Sequence, residues 1–142
     1  MATKRLFIVS NRLPVNIETV DGQPKVHPSA GGLVSAITGY LEHKEAAGKK
    51  EFEETWWVGV PGCSATAWKK ASRELPATGY GYLPVFISKT VYEPYYNGFS
   101  NSAIWPLFHY FPSYAEYNIN YHDSNMEANQ ALVYVLVEPL QS

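Results

Sequence analysis

The chain is short of cysteine and of charge and lacks any long apolar run. Each shortage narrows what it can be. One cysteine, Cys63, in 142 residues rules out an internal disulfide, and the simple setting is a reducing, cytoplasmic one. Cys63 has no CxxC partner and reads as an ordinary small residue. Charged residues make up 17%, below the roughly 25% of an average soluble domain. The formal net charge is -2, and no run of like charges exceeds a pair such as Lys49-Lys50. That argues against nucleic acid and against an anionic membrane as partners. It leaves room for one small anion, which needs only a few local donors. No stretch approaches the ~18 apolar residues of a membrane span. The basic start, Met1 to Arg5, leads into an apolar run, Leu6 to Val9, far shorter than the ~7–15 residues of a signal-peptide core. His27, His43 and His122 are scattered and give no ligand spacing. His109, in an apolar stretch, reads as structural, so no metal site is expected.

Apolar residues make up 46% of the chain, enough for a packed core in one domain or part of a larger one. Leu6-Phe7-Ile8-Val9 reads as a strand buried on both faces, as in a parallel sheet. Val15 to Val20 alternates, Asp21-Gly22 signals a tight turn, and Gln23 to His27 returns, with Pro24 keeping that strand at an edge. Gly31-Gly32 opens a helix whose expected apolar face is Leu33, Ala36, Ile37, Tyr40 and Leu41, with Gly48 as its stop. Lys49 to Glu54 is a polar connection. Thr55 to Val60 and Tyr80 to Ile87 are further strands. Ser88 is placed to cap a helix towards Asn97, kinked or cut short by Pro94. Trp105-Pro106 reads as a break. Ser124 to Glu127 has capping-box spacing ahead of a mostly buried helix over Ala128 to Leu140, ended by Pro139. Strands alternating with helices give an α/β layer architecture with a parallel sheet, carrying an inserted β-hairpin.

Two features suit a phosphate. The glycine pair Gly31-Gly32 at a helix start would offer free N–H groups, the positive end of the dipole and no Cβ to hold an anion away. Arg12 stands just past the first strand, where open α/β sheets bind ligands, and a guanidinium can grip a phosphate with two bonds. By themselves these residues read more simply as a turn glycine pair and a surface arginine. Tyr96 and Trp105 by themselves read more simply as core aromatics.

Four ordered motifs carry a resemblance. They are Phe7-Ile8-Val9-Ser10-Asn11-Arg12-Leu13-Pro14, Ser29-Ala30-Gly31-Gly32-Leu33, Tyr95-Tyr96-Asn97-Gly98-Phe99-Ser100-Asn101 and Trp105-Pro106-Leu107-Phe108-His109-Tyr110. Together they span nearly the whole chain and resemble the trehalose-6-phosphate synthases, glycosyltransferase family 20. The resemblance implies a GT-B enzyme with two Rossmann-like domains facing a cleft, of which residues 1–142 would be part of the N-terminal, acceptor-side domain. It implies glucose transfer from UDP-glucose to glucose 6-phosphate with retention, giving trehalose 6-phosphate and UDP. UDP-glucose is then a substrate, no cofactor is needed, and an oligomer is allowed. Gly31 and Gly32 would lie against the donor pyrophosphate, and Arg12, Tyr96 and Trp105 around the acceptor phosphate. The leaving phosphate would help deprotonate the acceptor hydroxyl, so no enzymic nucleophile or acidic pair is assigned.

The chain departs from that pattern at three places. Val60 stands where family members usually carry a tryptophan near the sugar site, and Pro94 and Pro139 replace helix-compatible residues. The family's His-Asp-Tyr-His segment, its donor-clamping arginine–lysine pair and its acidic residue near the donor glucose do not occur in these 142 residues. The chain is therefore expected to be a fragment, inactive alone. Alternatives are a non-catalytic sugar-phosphate-binding or regulatory relative, and a glycosyltransferase with another phosphorylated acceptor, such as glycerol 3-phosphate. A nicotinamide-binding oxidoreductase is disfavoured, because no GxGxxG comes after the first strand.

Overall fold

The computed structural model describes residues 4–48 and 51–141. Met1 to Thr3, at the basic start, and Lys49-Lys50, in the expected polar connection, lie outside the described residues. The chain forms two compact units, Met1–Phe86 and Ile87–Ser142.

The first unit is built on a three-stranded parallel sheet. Strands β1 (Arg5–Arg12) and β4 (Glu54–Val60) pair in parallel, β4 pairs in parallel with β5 (Gly81–Pro84), and β4 lies in the middle. Parallel neighbours need crossovers. Between β1 and β4 the crossover carries a hairpin, β2 (Val15–Val20) with β3 (Gln23–Pro28), and helix α1 (Gly32–Ala46). Between β4 and β5 it carries α2 (Ala65–Ala71) and a short 3₁₀ turn. The hairpin turn is the expected one. Asp21 and Gly22 both have positive φ, 52° and 75°, the signature of a type I′ turn. Alternation then buries Val15 and Ile17, which join Leu13, Trp57, Trp68 and Ala71 in one core, with Val34 and Ile37 of α1 packed against it.

Four expectations need correcting in this unit. β1 is not buried on both faces; it is an edge strand of its sheet, and Val9 is 48% exposed. The core-facing stripe of α1 is Val34, Ile37 and Leu41, while Leu33, Ala36 and Tyr40 face solvent. The amphipathic pattern is too weak to fix the phase, since apolar residues occupy neighbouring positions on both sides. β5 stops at Pro84 rather than running to Ile87, because proline brings no N–H to the ladder and only Val85 N–H adds one more bond, to Gly59 O at 2.9 Å. Helix α2 is not among the expected elements. Its seven residues are too few for an apolar period, although Ser64 Oγ caps it by accepting from Ala67 N–H at 3.2 Å.

The second unit is helical. α3 (Lys89–Glu93) passes directly into an eleven-residue π-helix, Pro94–Ile104, and then into α4 (Trp105–Phe108); the long α5 (Ile119–Gln141) packs against α3 and the π-helix. The expected Ser88 cap and the break at Trp105-Pro106 do not form, whereas α3 is cut short just before Pro94, as expected. Ser88 precedes α3, but its hydroxyl pairs with Thr90 Oγ1 at 3.0 Å instead of capping. Pro94 and Pro106 each fall at the start of the element they enter, where a missing N–H is tolerated. α5 starts at Ile119, not near Ser124. Asn118 takes the capping role through its Oδ1, which accepts from Asn120 N–H at 2.9 Å. Pro139 sits within the last turn and does not end the helix. Nor is α5 mostly buried: Ala128 lies in its covered stripe, while Met126, Val133, Tyr134 and Leu140 are exposed.

Candidate functional site

In the first unit the site grows from the C-terminal end of β1. Strand β1 advances three residues, Val9 to Arg12, while β4 advances two, Val58 to Val60. The extra residue is a bulge, which re-aims the side chains beyond it. The Ser10 hydroxyl holds the bulge: it accepts from the Trp57 indole N–H at 2.8 Å and donates to Arg12 O at 2.6 Å. Trp57 is fully buried, so this anchor is rigid. Opposite the bulge only glycine fits. A Cβ on Gly59 would stand 2.8 Å from Arg12 C and Ser10 O, both backbone atoms. Arg12 emerges exposed, directly across from Val60.

The glycine pair is tied to the same strand end. Ser29 N–H donates to Pro14 O at 2.8 Å, and Ser29 Oγ donates to Leu13 O at 3.2 Å. Two residues on, Gly31 leads into α1. No side chain caps this helix, no carboxylate stands in its first turn, and nothing comes within 4 Å of where a Cβ on Gly31 or Gly32 would sit. The N-terminal N–H groups are therefore open to an anion, with the dipole favouring one. Ser29, two residues before Gly31, is thus bonded to the two residues that follow Arg12.

A cavity of about 300 Å³ lies at the other end of this sheet, beside the first residues of β4 and the last turns of α1. Glu42, Glu45, Glu51 and Glu53 line it, and its one lysine, Lys44, is paired with Glu51 at 3.3 Å. That pairing raises the Lys44 pKa, chiefly through the hydrogen bond to Glu51. Such a wall repels phosphate, so this hollow is not the phosphate site. Among the described residues no three His, Cys, Asp or Glu side chains group as a metal site would.

In the second unit the π-helix carries Tyr96 and leads into Trp105. Hydroxyls mark its register: Ser100 Oγ donates to Tyr95 O at 3.2 Å and Ser102 Oγ to Asn97 O at 2.7 Å, each five residues back. The register decides which side chains share a face. Trp105 stands nine positions after Tyr96. In an α-helix nine positions are two and a half turns, which puts the pair on opposite sides. An i→i+5 helix takes nearly one more residue per turn, so nine positions complete about two turns and put both on one side. The burial pattern agrees, with Gly98 and Ala103 buried five apart and Glu93, Asn97, Asn101 and Trp105 exposed at every fourth position. The expected break is thus replaced by a continuous helix of altered pitch. Tyr96 is half-buried and stacks on Tyr92, with centroids 5.5 Å apart and planes at 25°. Trp105 is 52% exposed and is not a core aromatic. Burial, reinforced by Tyr92 and Tyr96, raises the pKa of Tyr95.

His109 is the residue that sequence reasoning passed over. It is exposed rather than buried in an apolar stretch, and its ring lies flat on Trp105. The signal was the four-residue spacing within one helical turn, which brings two side chains together.

Residues 4–138 match the profile of glycosyltransferase family 20. An alpha,alpha-trehalose-phosphate synthase [UDP-forming] A from Dictyostelium discoideum is 38% identical over 138 residues, 96% of this chain and 18% of its own length. The corresponding Candida albicans enzyme is 34% identical over 97% of this chain and 27% of its own length. A solved synthase from Burkholderia xenovorans superposes with a TM-score of 0.60 at 26% identity, covering 96% of this chain and 24% of that one. Another, in complex with glucose-6-phosphate, superposes at 0.63 and 20% identity, covering 96% and 25%, a likeness of fold. The chain thus spans about a quarter or less of the length of these relatives.

Proposed function

Because the chain belongs to glycosyltransferase family 20, we propose that it supplies the acceptor-side wall of an enzyme that makes trehalose 6-phosphate. That enzyme moves glucose from UDP-glucose to glucose 6-phosphate, with retention, and releases UDP. Residues 1–142 form part of its N-terminal domain, in a GT-B arrangement whose donor-binding domain lies beyond them, and it works in the cytoplasm. Arg12 grips the acceptor phosphate. Tyr96 adds a hydroxyl, and Trp105 adds an indole N–H and a flat wall for the sugar. The N–H groups at Gly31 and Gly32 face the donor pyrophosphate and stabilise the charge that gathers on departing UDP. The leaving phosphate takes the acceptor proton, so no side-chain nucleophile is involved.

One observation supports the reading: the bulge fixed by Ser10 carries Arg12, and Ser29, just before the Gly31-Gly32 helix start, is bonded to the next residue, Leu13. Val60, directly across from Arg12, favours a second reading. A smaller wall there suits another phosphorylated acceptor.

A chimera tests both. This chain replaces the matching segment of the Dictyostelium synthase, and UDP release is measured with each acceptor. The account expects release that depends on glucose 6-phosphate. Release driven only by another sugar or polyol phosphate would move the assignment to the second reading, and release indifferent to any phosphorylated acceptor would remove both. The isolated 142-residue chain is expected to release no UDP above background.

A further inference from the structure

The side chain that this function leaves unused is His109, which stacks on Trp105. Their ring centroids are 3.9 Å apart and their planes 16° from parallel. His109 Nδ1 lies 2.8 Å from the Trp105 carbonyl oxygen. A carbonyl only accepts, so Nδ1 carries the proton and donates it there. The imidazole is thus held at one edge by a hydrogen bond and on one face by the indole.

The backbone beneath is fixed as well. His109 closes α4, and Tyr110 takes a left-handed conformation with φ 61°. Tyr110 N–H donates to Leu107 O at 3.3 Å and Phe111 N–H to Pro106 O at 2.8 Å. This is the Schellman closure of a helix, which glycine usually provides. A tyrosine held there, 92% exposed, gives His109 a stiffer backbone than a glycine closure would.

Trp105 needs such a partner. It is 52% exposed, and its indole N–H has no partner among the described residues. An exposed indole exchanges rotamers, and ordering it on binding weakens affinity. We propose that His109 is a positioning residue of the sugar-phosphate site: its stacked ring holds the Trp105 indole in the orientation that meets the acceptor. The inference rests on the reading of Trp105 given above.

The test uses the 142-residue chain labelled with 15N, monitoring the Trp105 Nε1–H signal and the amides around Arg12 during titration with glucose 6-phosphate. Without ligand, the Trp105 signal is expected to be displaced by the neighbouring ring in the parent chain and in His109→Phe, and to relax in His109→Ala. The titration midpoint is expected to rise about fivefold in His109→Ala and to return near the parent value in His109→Phe, the size of an exposed ring contact. A midpoint unchanged in His109→Ala but raised in Trp105→Ala would overturn the role of His109 and leave that of Trp105 standing. A rise in His109→Ala that His109→Phe does not rescue would overturn positioning by stacking. No response in the parent chain, or none lost in Trp105→Ala, would overturn the sugar-phosphate reading itself and this inference with it.

Discussion

The Ser10 hydroxyl stands between a buried indole and the backbone of Arg12, accepting from one and donating to the other. Removing it leaves the Trp57 N–H buried without a partner. An unmet buried donor costs about 1–3 kcal/mol. Ser10→Ala should lower unfolding stability by that amount in a denaturant titration, although it deletes a single oxygen. A change within error would mean that water replaces the hydroxyl and that the bulge is held otherwise. Tyr80 makes a different kind of prediction. Burial, aided by Tyr82 and Glu42, pushes its pKa from 10.0 up to about 12. The folded chain therefore keeps a proton that the unfolded chain loses first. That contribution is complete below pH 10.0 and is lost as the pH rises through about 12. In thermal melts across this window the parent chain should lose stability more steeply with pH than Tyr80→Phe. Parallel curves would show that the Tyr80 hydroxyl is solvated. Cys63, whose thiol pKa is also raised by burial, fits its reading as an ordinary residue.

Elements differ in how openly the sequence declares them. Asp21-Gly22 announces its hairpin because only residues tolerant of positive φ fit a two-residue turn. Gly31-Gly32 announces the start of α1, and Thr55 to Val60 the central strand. The π-helix is hidden for a physical reason. Reading for apolar residues at three and four positions assumes 3.6 residues per turn, and between Pro94 and Ile104 the buried positions recur at five. The prolines then look like breaks, when each sits at an element start. For the same reason the nine positions from Tyr96 to Trp105 make about two turns here rather than two and a half. The start of α5 is misplaced because Ser124 to Glu127 has the right spacing for a cap, but Asn118 reaches the free N–H groups first. Packing of the π-helix on α5 depends on Gly98, where a Cβ would stand 2.5 Å from the Tyr121 ring. Gly98→Ala should therefore loosen α5. Overpacking of this kind costs about 1–3 kcal/mol, and amide exchange along α5 should quicken by the corresponding factor. Unchanged exchange would show that Tyr121 swings aside freely.

For the whole molecule, the family is legible in four motifs, and the parallel α/β layer comes from strands alternating with helices. The two compact units are not foreseeable, because no glycine- or serine-rich linker marks the passage at Phe86 to Ile87. Surface exposure also escapes the sequence. Phe108, Tyr110, Tyr114 and Tyr117 are 75%, 92%, 74% and 68% exposed, because an aromatic's type alone does not say whether a neighbouring element covers it. The site itself is half legible. Arg12, Gly31 and Gly32 could be placed from strand-end and helix-start logic, whereas the partnership of Trp105 with His109 needed the stacked geometry. The central claim is that one strand end of this chain recognises a sugar by its phosphate. It is tested most directly by titrating the chain with glucose 6-phosphate and, separately, with glucose, while every amide is monitored by NMR. The account predicts that the amides around Arg12 respond to glucose 6-phosphate, saturating at millimolar ligand, and ignore glucose. Arg12→Ala should weaken that response roughly tenfold to a hundredfold, since a hydrogen bond to a charged group is worth about 1.5–3 kcal/mol. Equal responses to the two sugars, or a response centred on the acidic cavity beside Glu42 and Glu45, would contradict it.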